Sequence, residues 1–162
     1  MAAETESAPI APVDLASERA EVGPVLLEAV ERVLASGHYV LGPEVEKFER
    51  DFAAMHKTKH GVGVASGTDA LILALRALGV APGDKVLTSP YTFFASAGAI
   101  AWMGARPVFA DIDPATGLMC PKLAADAMDE DVKCILPVHL YGQLADITAL
   151  RALADESGAQ LC

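Results

Sequence analysis

The hydrophobic rhythm of the chain changes once. Up to about residue 60 the apolar side chains recur at helical spacing, and beyond it short apolar runs alternate with helical stretches. In the first part Val25, Leu26, Ala29, Val30 and Val33 form one stripe. Pro24 suits a first turn and Gly37 a stop, so a helix is predicted over 24–35. His38 to Gly42 reads as a short extended connection. A second helix is predicted over 43–55, with Val45, Phe48, Phe52 and Met55 on one face and Glu44, Glu46, Lys47, Glu49 and Arg50 largely off it. Both stripes need cover, and a partner subunit is the expected source. Residues 1–12 are Ala, Glu, Ser, Thr and Pro without periodicity, and are expected to form a mobile tail.

In the second part strands are predicted over 62–65, 85–88, 107–111 and 132–140, the last losing regular pairing early because of Pro137. Helices are predicted over 68–78, 93–103, 121–128 and 146–156, with Asp146 as N-cap of the last and Gly158 as its stop. Strand–helix alternation with strands apolar on both faces implies a parallel α/β sheet. Ala159 to Cys162 starts one more strand, and the sequence reads as cut off inside its fold. The expected organisation is therefore a tail (1–12), N-terminal helices (13–60) and an incomplete α/β domain (61–162).

Composition narrows the function. The chain has 162 residues, of which 52% are apolar and 21% charged, an ordinary globular balance. A net charge of −10 argues against nucleic acid or an anionic membrane as partner, since phosphate surfaces are held by Lys and Arg. No apolar run is long enough to span a bilayer, and no basic leader precedes an apolar core. Cys120, Cys134 and Cys162 are too few and too widely spaced for a disulfide framework or a zinc site, so a cytoplasmic location is the default.

The stretch with the clearest chemistry is Gly61-Val62-Gly63-Val64-Ala65-Ser66-Gly67-Thr68-Asp69, a β-branched run feeding a helix through a turn of small hydroxylated residues. Unpaired amides and the positive end of the helix dipole meet at such a turn. Taken alone, the turn leaves a phosphate site and a plain N-cap equally open. The loop Ser89-Pro90-Tyr91-Thr92-Phe93-Phe94 lies after the next strand, where α/β sheets place ligands, and an aromatic face beside a phosphate site suits a flat phosphorylated ring. One of Phe93 and Phe94 is expected to pack in the core.

Other constellations have blander readings. A dinucleotide fingerprint would need glycine where Ser66 stands, and no acidic residue ends the second strand. His56 and His60 have the i, i+4 spacing of two metal ligands but enclose two lysines and no glutamate, so a solvated helix end is expected. Asp111 and Asp113 lack a third ligand and are expected to shape a turn. No metal site is predicted.

Taken in register, several segments carry a resemblance. They are Ser36-Gly37-His38-Tyr39-Val40-Leu41-Gly42-Pro43-Glu44-Val45-Glu46-Lys47-Phe48-Glu49, Val64-Ala65-Ser66-Gly67-Thr68-Asp69-Ala70-Leu71, Gly83-Asp84-Lys85-Val86, Tyr91-Thr92-Phe93-Phe94-Ala95-Ser96, Gly104-Ala105-Arg106-Pro107-Val108-Phe109-Ala110-Asp111-Ile112-Asp113 and Pro137-Val138-His139-Leu140-Tyr141-Gly142-Gln143. The chain resembles the N-terminal part of the DegT family of sugar aminotransferases, pyridoxal 5′-phosphate enzymes of the aspartate aminotransferase fold (fold type I). Leu144 stands where that family usually has proline.

The resemblance implies a large cofactor-binding domain with a mainly parallel sheet. It implies that Thr68 and Asp69, with Ser66 and Gly67 shaping the turn, hold the cofactor phosphate, and that Phe93 stacks on the pyridine ring. His139, Tyr141 and Gln143 belong to a family loop without an assigned role. The family's pyridine-nitrogen aspartate and cofactor-binding lysine fall beyond Cys162, so no catalytic residue is expected in this chain and no turnover by it alone. The complete protein is expected to move an amino group from an amino acid, glutamate by preference, to a nucleotide-linked keto-sugar, and to work as a homodimer. A sugar dehydratase of the same fold and a non-catalytic phosphate- or partner-binding fragment remain open alternatives.

Overall fold

The computed structural model describes residues 13–162, so the tail expected over 1–12 lies outside the described residues. The described chain divides into two compact units, one up to Gly63 and one from Val64 onward.

The N-terminal unit holds α1 (Leu15–Ser36) and α2 (Pro43–Met55). α1 starts nine residues earlier than its apolar stripe suggests. Asp14 is the N-cap, its carboxylate accepting from the Ser17 N–H at 3.1 Å, and Pro24 sits inside the helix rather than in its first turn. Gly37 ends it in the left-handed conformation at φ 68°. An ion pair between Arg32 and Glu44, at 3.3 Å, ties α1 to α2. α1 buries none of its residues, and Val25, Leu26, Leu27, Val30 and Leu34 are all more than half exposed.

After α2 the chain runs back along it without forming the strand predicted over 62–65. A strand needs a ladder, and the described residues offer none here. Instead the Gly63 N–H donates to the Glu49 carboxylate at 2.6 Å. At Gly61 an added Cβ would stand 2.6 Å from the Glu49 carbonyl oxygen. The glycines at 61 and 63 are thus explained by close passage over a helix. α2 ends at Met55, which leaves His56 as its C-cap and His60 in the following loop, off any helix.

The C-terminal unit is α3 (Gly67–Ala77), β1 (Lys85–Thr88), α4 (Ala95–Trp102), β2 (Arg106–Phe109), α5 (Pro121–Ala127), β3 (Val132–Leu136), α6 (Ile147–Ser157) and β4 (Gln160–Leu161). The sheet is wholly parallel in the order β2-β1-β3-β4. β3 stops at Leu136, immediately before Pro137. Asp146 caps α6 through the Ala149 N–H at 3.0 Å, and Gly158 closes it at φ 71°.

Alternation along the strands builds two cores. Leu87 and Ile135 point to one face with Val132 of β3 and with Ala124, Leu150 and Ala154, from α5 and α6. Val86, Cys134 and Leu136 point to the other with Leu75 and Ile100, from α3 and α4. The result is a three-layer α/β/α arrangement. Each fully buried leucine or isoleucine in it contributes roughly 1.5–3 kcal/mol.

The order of connections fixes where a ligand can enter. The chain leaves β1 through α4 to β2 on one side, then returns through α5, on the other face, to β3 on the opposite side of β1. The connections diverge between β1 and β3. Beyond the carboxyl ends of those two strands lies the crevice in which open α/β sheets bind ligands.

Candidate cofactor site

Ser66 starts the site. Its backbone is extended (φ −158°, ψ 165°), and its Oγ accepts from the Asp69 N–H at 3.1 Å while donating to Asp69 Oδ2 at 2.8 Å. The Ala70 N–H donates to the Ser66 carbonyl at 3.0 Å. The first-turn amides of Gly67 and Thr68, and the Thr68 hydroxyl, have no partner among the described residues. Two free N–H groups at a helix N-terminus form an anion cup.

The second wall follows β1. The Thr88 hydroxyl donates to the Leu136 carbonyl at 2.8 Å and joins the ends of β1 and β3 beneath the crevice. Ser89 Oγ accepts from the Tyr91 N–H at 3.1 Å, and the Thr92 and Ser96 hydroxyls share a hydrogen bond of 3.0 Å at the start of α4. Contrary to expectation, neither Phe93 nor Phe94 enters the core: they are 77% and 80% exposed. Phe94 lies against Gly98, where an added Cβ would meet its ring at 2.9 Å. Phe93 lines the crevice.

The third wall follows β3. Leu136 to Tyr141 runs along the crevice, and His139 Nδ1 accepts from the Ala145 N–H at 3.1 Å. Tyr141 has φ 54° and Gly142 φ 82°, two left-handed residues in succession that reverse the chain. Left-handed backbone at a tyrosine costs roughly 1 kcal/mol or more, and such strain gathers at binding sites.

These walls enclose a cleft of about 510 Å³ lined by residues that include Gly67, Thr68, Thr92, Phe93, Ser96 and His139. Of the residues singled out by sequence, Gly67, Thr68 and Phe93 meet there. Ser66 and Asp69 do not line it; they brace the turn behind it. No lysine or arginine lines the cleft, so an anion there would rest on amides, hydroxyls and the helix dipole. Ser96 and the strand-end residues Leu136 to Val138 offer no chemistry that marks them as site residues in the sequence, being small or apolar. They enter the site only because β1 and β3 are neighbours.

Other candidates fall away. Asp111 and Asp113 shape their turn, with Asp113 Oδ1 accepting from the Ala115 N–H at 2.8 Å. Among the described residues, no group of three or more His, Cys, Asp and Glu side chains is placed to hold a metal ion, and no helix is long and apolar enough to cross a membrane. A cleft of about 270 Å³ in the N-terminal unit, lined by Glu46, Glu49, Arg50 and Lys59 among others, has the Glu49 carboxylate already engaged by Gly63.

Comparison with known proteins gives this arrangement its place. The model of the DegT/DnrJ/EryC1/StrS aminotransferase family matches residues 22–162. The chain belongs to that family. A UDP-2-acetamido-2-deoxy-3-oxo-D-glucuronate aminotransferase of Pseudomonas aeruginosa is 42% identical over 90% of this chain and 41% of its own length. An X-ray structure of Streptomyces venezuelae DesV in complex with a ketimine intermediate superposes with a TM-score of 0.91 at 43% identity, over 96% of this chain and 42% of that one. NtdA from Bacillus subtilis with bound cofactor PMP superposes with a TM-score of 0.81 at 33% identity, over 83% of this chain and 31% of that one. The chain therefore has the fold of the large domain of the family and spans about two fifths of the length of such relatives.

Proposed function

We propose that this chain forms the cofactor-phosphate half of an aminotransferase site that uses pyridoxal 5′-phosphate to aminate a nucleotide-linked keto-sugar, with an amino acid, glutamate by preference, as donor. One observation carries the reading. The free amides of Gly67 and Thr68 line the same cleft as the exposed ring of Phe93. A cup for an anion beside a flat apolar face fits a phosphorylated pyridine. The amination of a 3-oxo sugar nucleotide named for the Pseudomonas relative supports the substrate class.

The residues divide the work. Gly67 and Thr68 would hold the phosphate through their N–H groups, and Thr68 through its hydroxyl as well. An anion at a helix N-terminus gains roughly 0.3–1 kcal/mol when exposed and up to about 2 when partly buried. Ser66 and Asp69 keep that turn in shape without touching the ligand. Phe93 would cover one ring face and exclude water from it. When bound, the cofactor supplies an electron-withdrawing ring and a carbonyl carbon that accepts the amino group. None of Lys47, Lys57, Lys59, Lys85, Lys122 and Lys133 lines the cleft, so none is offered as the lysine that binds that carbonyl.

The exposed stripe of Val25, Leu26, Val30 and Leu34 on α1 supports a homodimer as the working form. The free cysteines Cys120, Cys134 and Cys162 support a reducing, cytoplasmic setting. The net charge of −10 supports the expectation that neither nucleic acid nor an anionic membrane is a partner. Equilibrium titration with pyridoxal 5′-phosphate and with pyridoxal tests the reading. Pyridoxal 5′-phosphate should bind at least about tenfold tighter, and equal affinities would contradict a phosphate cup.

A further inference from the structure

His139 lines the cleft, and its Nδ1 accepts a hydrogen bond from the Ala145 N–H at 3.1 Å. An accepting Nδ1 requires, in the neutral ring, that the proton sit on Nε2. The backbone thus selects the tautomer and holds the ring in one orientation. The support is rigid: Ala145 is buried, it immediately precedes the N-cap of α6, and the Gly142 N–H closes a turn on the His139 carbonyl at 3.1 Å. Nε2–H, by contrast, has no partner among the described residues.

We propose that His139 is a ligand-orienting residue, whose Nε2–H donates to an acceptor oxygen of the ligand held between the α3 N-terminus and Phe93. The inference rests on the cofactor reading above and adds a directional contact to it. Gly67 and Thr68 fix one end of the ligand and Phe93 fixes its plane. Neither prevents rotation within that plane. A donor from the opposite, β3 wall does so. The oxygen belongs either to pyridoxal 5′-phosphate or to the sugar nucleotide.

Two substitutions separate orientation from mere support. Asparagine places its amide oxygen where Nδ1 stands, keeping the Ala145 contact but not reaching the Nε2 position. Glutamine reaches the Nε2 position with a donor but gives up the Ala145 contact. The full purified protein and the variants H139N and H139Q are titrated with pyridoxal 5′-phosphate, then with UDP-N-acetylglucosamine in its presence, with thermal melting as a fold check. His139→Asn is expected to weaken binding about three- to tenfold, the loss of one hydrogen bond, with His139→Gln the better binder of the two. Loss in the first titration assigns the oxygen to the cofactor, and loss only in the second assigns it to the sugar nucleotide. The reverse order of the variants, or unchanged affinity in both titrations for H139N, overturns the proposal. Wild-type protein that binds no pyridoxal 5′-phosphate overturns the cofactor reading itself, and this inference with it; wild-type binding with an unaffected H139N overturns only the inference.

Discussion

Ser66 and Asp69 hold each other across the first turn of α3. The serine hydroxyl accepts from the aspartate amide at 3.1 Å and donates to its carboxylate at 2.8 Å. This reciprocal bond divides the turn into residues that build it and residues left free for a ligand. Ser66→Ala should therefore cost about 1 kcal/mol of stability, the usual loss of a helix N-cap. Thr68→Val should change stability by less than about 0.5 kcal/mol, because the Thr68 hydroxyl holds nothing in the protein, yet weaken cofactor binding. Denaturant midpoints and ligand titrations on the two variants check this crossed pattern.

Two glycines make an opposed pair. A Cβ at Gly61 would stand 2.6 Å from the Glu49 carbonyl, whereas one at Gly67 meets nothing within 4 Å. Gly61→Ala should lose about 1–3 kcal/mol through forced displacement of the chain from α2. Gly67→Ala should leave stability unchanged or raise it by up to about 1 kcal/mol, since alanine favours helix. Its methyl group should nevertheless weaken phosphate binding by filling the cup. Thermal melts and pyridoxal 5′-phosphate titrations read the two effects separately.

Much of this was legible before any coordinates. The strand 85–88, the caps Asp146 and Gly158, and the stop at Pro137 follow from local chemistry that tertiary packing does not override. The run Val62 to Ala65 looked like a strand because β-branched residues favour one, but strand formation depends on a neighbour that local sequence does not specify. Pro24 misplaced the start of α1 because proline favours a first turn, while the Asp14 cap lay outside the apolar stripe. The expectation that one of Phe93 and Phe94 packs in the core fails, because hydrophobicity alone cannot tell a core ring from an exposed one. His139 was visible as a residue but not as a contact, since Ala145 carries no signal that its N–H needs a partner.

At the far end of the sheet, Lys85 Nζ lies 2.6 Å from Asp129 and 3.0 Å from Asp131, with only 20% of its side chain exposed. Hydrogen bonding to Asp129, then to Asp131, raises the Lys85 pKa, and the bond from Lys85 lowers that of Asp129. The raised lysine contributes stability below about pH 10.4 and loses it as pH climbs through the folded value. The lowered aspartate contributes above about pH 3.9 and loses it as pH falls through the folded value. The contribution of this pair to stability should therefore be flat between these limits and decline outside both. In Lys85→Met both the alkaline and the acid declines should shrink, because the lysine no longer titrates and the folded pKa of Asp129 returns toward its unfolded value, as read from chemical denaturation across pH.

Cys134 is fully buried beside Cys162, and burial pushes its thiol up to about 12. In the folded protein it should resist thiol reagents at pH 8 and react only on unfolding. Labelling in native buffer and in denaturant, with peptide mapping, measures the difference.

The Gly67 and Thr68 amides decide the cofactor-site reading. The most direct measurement is the amide spectrum of ¹⁵N-labelled protein titrated with pyridoxal 5′-phosphate. The Gly67 and Thr68 signals should move furthest and saturate together, while the Asp69 amide, already bonded to Ser66, moves less. Saturable binding that leaves Gly67 and Thr68 unmoved and shifts residues elsewhere would contradict the assignment of the α3 N-terminus as the phosphate cup.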